Sequence, residues 1–265
     1  MVDKLLCSSS CKSSMGKLPL ICFQKQFVLR HGNSVSLCES FHNCLEFFFA
    51  RCTIINTDTK TINQLLPDAV IGDFDSLSED GKKFLEIQEE KSMDSEIPYG
   101  GMTEWKLQKG FGNEKKEIKV IRLRPEKDDS DTQSAMNYAI QNGAKRITIL
   151  GATGNRVDHL MANFGILVLA KNQGVEVILA DQYNYMKLVS DGEIIKKSEQ
   201  FGKYISFFPL GGDVTGLTLE GFKYSLDHYR LTTADSGLTV SNEIVSEKAK
   251  VTYQSGTLLM IMSRD

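Results

Sequence analysis

Residues 69–76 read Ala69-Val70-Ile71-Gly72-Asp73-Phe74-Asp75-Ser76, an apolar run that ends directly before two carboxylates. On an extended chain, side chains at positions i and i+2 point to the same side, so we expect Asp73 and Asp75 to lie side by side where a buried strand ends. Ligands bind at such strand ends in open α/β sheets. Two adjacent carboxylates repel each other unless a cation lies between them, and oxygen ligands suit Mg²⁺. The alternative interpretation is an exposed Asp-rich turn.

The segments that follow alternate between strand and helix patterns. Residues 91–116 are polar and lack a clear periodicity, so we interpret them as a long surface excursion. Strand, helix and strand in alternation predict an α/β fold with a parallel sheet. The predicted strands are 69–72, 118–123, 147–150 and 175–180. The predicted helices are 78–90, 133–142 and a long apolar helix that follows the turn at 151–159 and extends to about Gln173.

An acidic cluster, Asp128-Asp129-Ser130-Asp131-Thr132, stands before the helix predicted over 133–142. Acids at a helix N-terminus cap free N–H groups and interact favourably with the helix dipole. One or two acids suffice for that purpose, whereas this cluster has three within four residues. The surplus again indicates a bound cation.

A glycine-bearing turn, Gly151-Ala152-Thr153-Gly154-Asn155-Arg156-Val157-Asp158-His159, joins a strand to a helix. Such a turn lets backbone N–H groups approach phosphate oxygens, and an arginine adds a bidentate phosphate partner. The segment matches neither a Walker A loop nor a Gly-x-Gly-x-x-Gly motif. A structural turn with a surface arginine is the alternative.

After Asp181 the pattern changes to short alternating runs that are separated by glycines, which predicts an antiparallel β-sandwich. Within it, the small polar segment 236–243 is either a binding segment or a plain hairpin loop. The sequence therefore divides into a disordered extension (1–20), an α/β domain (21–182) and a small β-sandwich domain (183–265). The predicted strands of this last domain are 185–189, 194–196, 204–208, 217–219, 251–253 and 258–262.

The composition is that of an ordinary soluble globular protein, with 265 residues of which 41% are hydrophobic and 25% charged. A net charge of −3 gives no reason to expect nucleic acid or an anionic membrane as a partner. No apolar run approaches the roughly 18 residues of a membrane span. All six cysteines lie in the first 52 residues without a Cys-x-x-Cys pair, so we expect reduced thiols in a cytoplasmic protein rather than a zinc site.

Together these segments resemble the thiamine pyrophosphokinase (thiamine diphosphokinase) family over residues 66–265. Each motif is short, but their order and rough spacing match those of the family. The matching segments are Gly72–Ser76, Lys127–Thr132, Gly151–His159, Gly221–Leu226, Val240–Glu243 and Gly256–Leu259.

The resemblance implies an α/β catalytic domain followed by a β-sandwich, in a homodimer whose partner subunit completes the thiamine site. It implies transfer of pyrophosphate from ATP to the hydroxyl of thiamine, which yields thiamine diphosphate and AMP. By the same resemblance, Asp73, Asp75 and Asp131 would hold Mg²⁺; Asp128, Thr132, Gly151, Gly154 and Arg156 would bind ATP; and Ser241 and Asn242 would contact thiamine. Asp158 would either accept the hydroxyl proton or orient Arg156.

One segment departs from the family pattern. Family members usually carry Ala-Asp-Gly-Gly-Ala upstream of the Gly-Asp-Phe-Asp motif, and the corresponding region here reads Ala50-Arg51-Cys52-Thr53-Ile54-Ile55-Asn56. Two alternatives to an active family member follow. The chain could be a thiamine-binding relative that has lost turnover, or a different Asp-x-Asp metal-dependent transferase.

Overall fold

The computed structural model describes residues 20–23, 26–31, 34–38, 69–74, 102–109, 115–124, 128–154, 156–235 and 237–265. Residues 1–19 of the extension predicted over 1–20, the helix predicted over 78–90 and Asp75 lie outside these ranges. The chain divides into two compact units. The α/β unit comprises the described residues up to 166 together with 172–175, and the β-rich unit comprises 167–171 and 176–265.

The α/β unit contains mixed sheets rather than a purely parallel one. Strands β3 and β7 are parallel, as are β4 and β6, whereas β1–β2, β2–β3 and β5–β6 are antiparallel. The predicted α/β class is therefore supported, but the predicted parallel sheet is seen in only part of the described strands. The elements are β1 (Leu20–Phe23), β2 (Gln26–His31), β3 (Ser34–Cys38), β4 (Ala69–Gly72), β5 (Met102–Lys109), β6 (Lys116–Leu123), α1 (Asp131–Gln141), β7 (Arg146–Leu150) and α2 (Val157–Asn172).

Strand β5 lies within residues 91–116, which the sequence pattern predicted to form a long surface excursion. It pairs with β6 along all eight of its residues. Its side chains alternate, with Thr103, Trp105 and Leu107 turned inward and the intervening residues exposed. The alternating signal is present in the sequence, but the inward positions include a threonine and the outward ones carry charge, so the segment reads as polar overall.

Helix α1 begins two residues earlier than predicted because Ser130 is its N-cap. The Ser130 hydroxyl accepts a hydrogen bond from the backbone N–H of Gln133 at 3.2 Å. The helix ends at Gln141, one residue before the predicted end, and Gly143 follows with a φ of 87° and donates to the carbonyl oxygen of Ile140 at 2.9 Å. Its buried face packs into the unit through Thr132, Ala135, Met136 and Ala139.

The β-rich unit consists of two antiparallel sheets around one apolar core, as the sequence pattern predicts. One sheet contains the pairs β8–β9, β9–β15 and β15–β11, and the other has the order β10–β14–β12–β13. Both sheets contribute to the core, for example through Phe207 and Met260 from one and Leu217 and Val251 from the other. The strands are β8 (Glu176–Ala180), β9 (Asn184–Leu188), β10 (Glu193–Lys196), β11 (Tyr204–Pro209), β12 (Val214–Glu220), β13 (Leu226–Leu231), β14 (Lys248–Thr252) and β15 (Leu258–Ser263).

Strand β13 was not predicted from the sequence. Its pairing with β12 shifts register twice, and His228 has a φ of 46°. Such irregularities break the period-2 pattern that identifies strands in a sequence.

Across the part of the chain that the structure describes, no helix combines the length and the apolar character needed to cross a membrane.

Candidate active site

The first group of candidate residues follows strand β4, whose four residues are all buried. Asp73 is half-buried at the end of the strand. Phe74 is 4% exposed and has a φ of 65°, in the left-handed region that bulky residues rarely adopt. The predicted extended chain is therefore wrong at Phe74, so simple alternation does not determine the relation of Asp73 to Asp75. The Phe74 ring is buried, and it meets the ring of Trp105 edge-on at a centroid distance of 6.3 Å.

The second group lies at the start of helix α1. Ser130 is the N-cap and Asp129 accepts a hydrogen bond from the Gln133 side chain, so helix capping does not account for the whole acidic cluster. Asp128 is exposed, Asp131 is half-buried with its Oδ1 atom buried, and Thr132 is buried. The carboxylate of Asp131 is thus held in the first turn of the helix, where the helix dipole favours negative charge.

The third group is the glycine turn between β7 and α2. Gly151 has a φ of 76° and Gly154 one of 23°, conformations that glycine adopts without the strain imposed by a Cβ atom. The turn is anchored by Asn163, a residue that the sequence reasoning missed. Its side-chain amide is 3% exposed and donates to the carbonyl oxygen of Ala152 at 2.9 Å. The available signal was a single amide within the apolar part of helix α2.

Arg156 and Asp158 form an exposed ion pair at the start of α2. Nε of Arg156 lies 3.2 Å from Oδ1 of Asp158, and Nη2 lies 2.5 Å from Oδ2. Hydrogen bonding to Arg156 lowers the pKa of Asp158 from 3.8 to about 2. A carboxylate with so low a pKa is a poor proton acceptor near neutral pH. Of the two roles open for Asp158, the geometry favours the orientation of Arg156.

Ser241 and Asn242 lie in the β-rich unit, on a segment attached to the edge of strand β11. Asn242 exchanges two backbone hydrogen bonds with Ile205, of 2.8 and 2.9 Å. The backbone N–H of Ser241 donates to the hydroxyl of Ser206 at 3.0 Å, and Ser241 itself has a φ of 56° and an exposed side chain. Ser206 was also missed by the sequence reasoning, because a serine within a strand carries no distinctive signal.

The Asn242 side chain is 1% exposed and joins two loops. Its Oδ1 atom accepts from the backbone N–H groups of Tyr224 and Glu243 at 3.0 and 2.9 Å, and its Nδ2 atom donates to the carbonyl oxygen of Tyr224 at 2.7 Å. Lys223 and Glu243 form an ion pair of 3.1 Å across the same two loops. Asn242 thereby holds the exposed Tyr224 ring and the exposed Ser241 hydroxyl on adjoining loops.

The donor chemistry of the α/β unit suits a hard cation, because its candidate ligands are carboxylate oxygens without sulfur or imidazole. Within the described residues, which exclude Asp75, no group of three or more His, Cys, Asp or Glu side chains is arranged to hold a metal ion. The two described members of the expected triad are Asp73 at the end of β4 and Asp131 at the start of α1. The residues present therefore fit Mg²⁺ by ligand type.

Taken together, these features define a two-domain class of protein. Its α/β unit carries aspartates at the end of strand β4 and at the start of helix α1, together with a glycine turn, and its β-rich unit carries a polar loop. The family model for the thiamin pyrophosphokinase catalytic domain matches residues 42–179. The model for the vitamin B1 binding domain of the same enzyme matches residues 192–258. The chain belongs to the thiamin pyrophosphokinase family.

Individual relatives agree with this family. The chain is 28% identical over 215 residues to the thiamine pyrophosphokinase of Bacillus subtilis, a match that covers 80% of this chain and 87% of the relative. The crystal structure of the Bacillus subtilis enzyme aligns with a TM-score of 0.58 over 76% of this chain and 80% of that one. A family protein from Enterococcus faecalis is 30% identical, with a TM-score of 0.58 over 77% of this chain and 83% of that one.

Proposed function

We propose that this protein is a thiamine diphosphokinase that transfers a pyrophosphoryl group from ATP to the hydroxyl of thiamine. The observation that carries the proposal is the match of both family domains, in order, to residues 42–179 and 192–258. The domain division at residues 21–182 and 183–265 is part of the proposal, as are a parallel-sheet core in the catalytic domain, a homodimer and a cytoplasmic location.

In the proposed reaction, the thiamine hydroxyl oxygen attacks the β-phosphorus of ATP. The bond from that phosphorus to the oxygen bridging it to the α-phosphorus breaks, AMP leaves with the electron pair, and the hydroxyl loses its proton. Such transfers depend mainly on in-line positioning and on neutralisation of charge. The protein therefore needs groups that hold phosphates and a separate segment that orients the alcohol.

We assign the charge-handling groups to the α/β unit. Asp73, Asp75 and Asp131 would hold Mg²⁺, which when bound neutralises phosphate charge. This assignment is supported by the half-buried position of Asp73 after a buried strand and by the buried Oδ1 atom of Asp131. Asp128 and Thr132 lie beside Asp131 and are assigned to the nucleotide.

The glycine turn and Arg156 are assigned to the phosphates. Positive φ angles at Gly151 and Gly154 shape a turn that a Cβ atom would strain. Arg156 offers a planar, permanently charged donor for phosphate oxygens, and two hydrogen bonds to Asp158 orient it.

Thiamine binding is assigned to Ser241 and Asn242 in the β-rich unit. The exposed hydroxyl of Ser241 is available to a ligand, whereas the Asn242 side chain makes three hydrogen bonds to neighbouring backbone groups. Asn242 therefore contributes mainly by shaping the loops that carry Ser241 and Tyr224.

The test is AMP formation from ATP and Mg²⁺, measured with and without thiamine. We expect AMP only when thiamine is present, and loss of this activity in Asp75→Asn with little change in thermal unfolding. Asp227→Asn, a change of an exposed carboxylate in the β-rich unit, serves as the matched control. Formation of ADP would show that the reaction class is wrong.

A thiamine-binding relative without turnover is the second candidate, because Ala50–Asn56 lacks the family's Asp-Gly-Gly segment. Saturable thiamine binding without any AMP would support that candidate. Introduction of Asp-Gly-Gly at residues 51–53 should then raise the rate.

A further inference from the structure

Phe74 separates the two carboxylates of the candidate metal segment, and its backbone conformation is not one that a phenylalanine favours. A φ of 65° is common for glycine and tolerated by asparagine, whose short side chain can bond locally. The phenylalanine side chain has no polar atom with which to form such a bond. Strained conformations of this kind persist only where surrounding structure enforces them, so the cause must be a tertiary contact.

That contact includes Trp105. The two rings are inclined at 67° with centroids 6.3 Å apart, an edge-to-face arrangement that aromatic pairs prefer. Phe74 is 4% exposed, so its ring is anchored while its backbone turns out of the strand direction. The ring contact and the left-handed backbone thus occur in the same residue.

The position of Trp105 is set by the three-stranded sheet β4–β6–β5. Trp105 lies opposite Val120 of β6, and Val120 lies opposite Val70 of β4. On the face of the sheet opposite to Trp105, Glu104 pairs with Lys119 at 2.9 Å and Lys106 with Glu117 at 3.0 Å. These cross-strand pairs, one on each side of Trp105 along β5, favour the register that directs the indole toward Phe74.

We propose that Trp105 is a positioning residue for the metal segment. By packing against Phe74 it holds the left-handed turn, and that turn determines the direction in which the chain leaves Asp73 toward Asp75. The inference rests on the proposed function, in which these carboxylates hold Mg²⁺. It gives the segment 102–109, which the sequence pattern assigned to a surface excursion, a role in preparing the site.

Trp105 also provides a direct readout, because it is the single tryptophan of the chain. Its emission reports on the packing beside Phe74 without a label. Mg²⁺ binding to the wild-type protein with a non-hydrolysable ATP analogue should change that emission with a midpoint equal to the one found by calorimetry. The Asp73→Asn protein should show neither the emission change nor the calorimetric binding.

The decisive comparison uses calorimetric Mg²⁺ affinity, measured with the same analogue, in three variants. Trp105→Ala should weaken Mg²⁺ binding about three- to tenfold, which corresponds to the loss of one aromatic pair. Trp105→Phe keeps an aromatic edge and should restore most of the affinity. Leu107→Ala removes another inward side chain of the same strand, two residues further from Phe74, and should lower stability without changing Mg²⁺ affinity.

A double-mutant cycle tests whether the effect of Trp105 on Mg²⁺ affinity depends on Phe74. Phe74→Gly removes the ring and makes the left-handed turn accessible without a tertiary contact. In that background, Trp105→Ala should have no further effect on Mg²⁺ affinity, since coupled residues are non-additive. Three results would each overturn the inference while leaving the proposed function intact. They are an unchanged Mg²⁺ affinity in Trp105→Ala, equal losses of Mg²⁺ affinity in Trp105→Ala and Leu107→Ala, and losses of Mg²⁺ affinity that add when Trp105→Ala is combined with Phe74→Gly. No Mg²⁺-dependent analogue binding by the wild-type protein would overturn both the inference and the metal assignment.

Discussion

The side-chain amide of Asn163 donates a 2.9 Å hydrogen bond to the carbonyl oxygen of Ala152, from the interior of helix α2 to the glycine turn that precedes it. Both residues are buried. A buried backbone carbonyl requires a hydrogen-bond partner, so the amide stabilises the turn that we assign to phosphate binding.

Replacement of Asn163 by alanine should therefore affect both stability and nucleotide binding. We expect a loss of about 1–3 kcal/mol in the free energy of unfolding, the cost of an unsatisfied buried polar group. The KM for ATP should rise more than the KM for thiamine. Urea unfolding and steady-state kinetics measure the two effects. Asn172→Ala, at an exposed position near the end of the same helix, is the control, and equal changes in the two KM values would contradict the assignment.

Asn242→Ala should weaken thiamine binding much more than ATP binding. The substitution removes two hydrogen bonds between Asn242 and the backbone of Tyr224 in the other loop, and a third with the backbone N–H of Glu243 in its own loop, so the loops that carry the proposed thiamine contacts lose their arrangement. Calorimetric titration with each substrate gives the comparison. Ser255→Ala removes an exposed hydroxyl contact with Thr215 and serves as the control. If thiamine and ATP affinities fell by the same factor, the division of the two substrates between segments would be wrong.

The ion pair of Arg156 with Asp158 predicts a pH dependence at the acid end. The folded-state pKa of Asp158, about 2, lies below the ordinary value of 3.8. The contribution of the pair to stability is therefore complete above that ordinary value and is lost as the pH falls from about 3.8 toward 2. Because the pair is exposed, the effect on stability is small.

Carboxyl NMR titration tests this prediction directly. Arg156→Gln should return the pKa of Asp158 toward 3.8, since the first cause of the shift is the hydrogen bond from Arg156. Arg230→Gln, which breaks a comparable exposed pair with Asp213, should leave the titration of Asp158 unchanged. An unaltered Asp158 titration in Arg156→Gln would show that the ion pair does not form in solution.

Gly221 opens one of the matching family segments, and a side chain there should not be tolerated. It has a φ of 78°, and a Cβ atom would lie 2.5 Å from the backbone oxygen of Lys248. Gly221→Ala should lower the free energy of unfolding by at least about 1–2 kcal/mol from the backbone conformation alone. Gly212→Ala is the control, because a Cβ atom there meets nothing within 4 Å and the φ is not positive. Equal thermal stability of the two variants would contradict the geometry at Gly221.

Local pattern was enough to predict many of the elements. The buried strand at Ala69–Gly72, the helix that ends before Gly143 and the antiparallel strands after Asp181 follow from apolar periodicity and turn residues, which act within a few positions along the chain. The family resemblance also came from short motifs in order, and the two domain matches confirm it.

Other features depend on contacts between distant segments. The contact of Phe74 with Trp105 joins residues 31 positions apart. The hydrogen bonds of Asn163 with Ala152 and of Asn242 with Tyr224 span 11 and 18 positions. A sequence pattern records the propensity of each segment but not which segments meet. The sequence by itself therefore determined many of the elements and the family, whereas only tertiary packing decided how the candidate site residues are held, because burial and hydrogen bonding override local conformational preference.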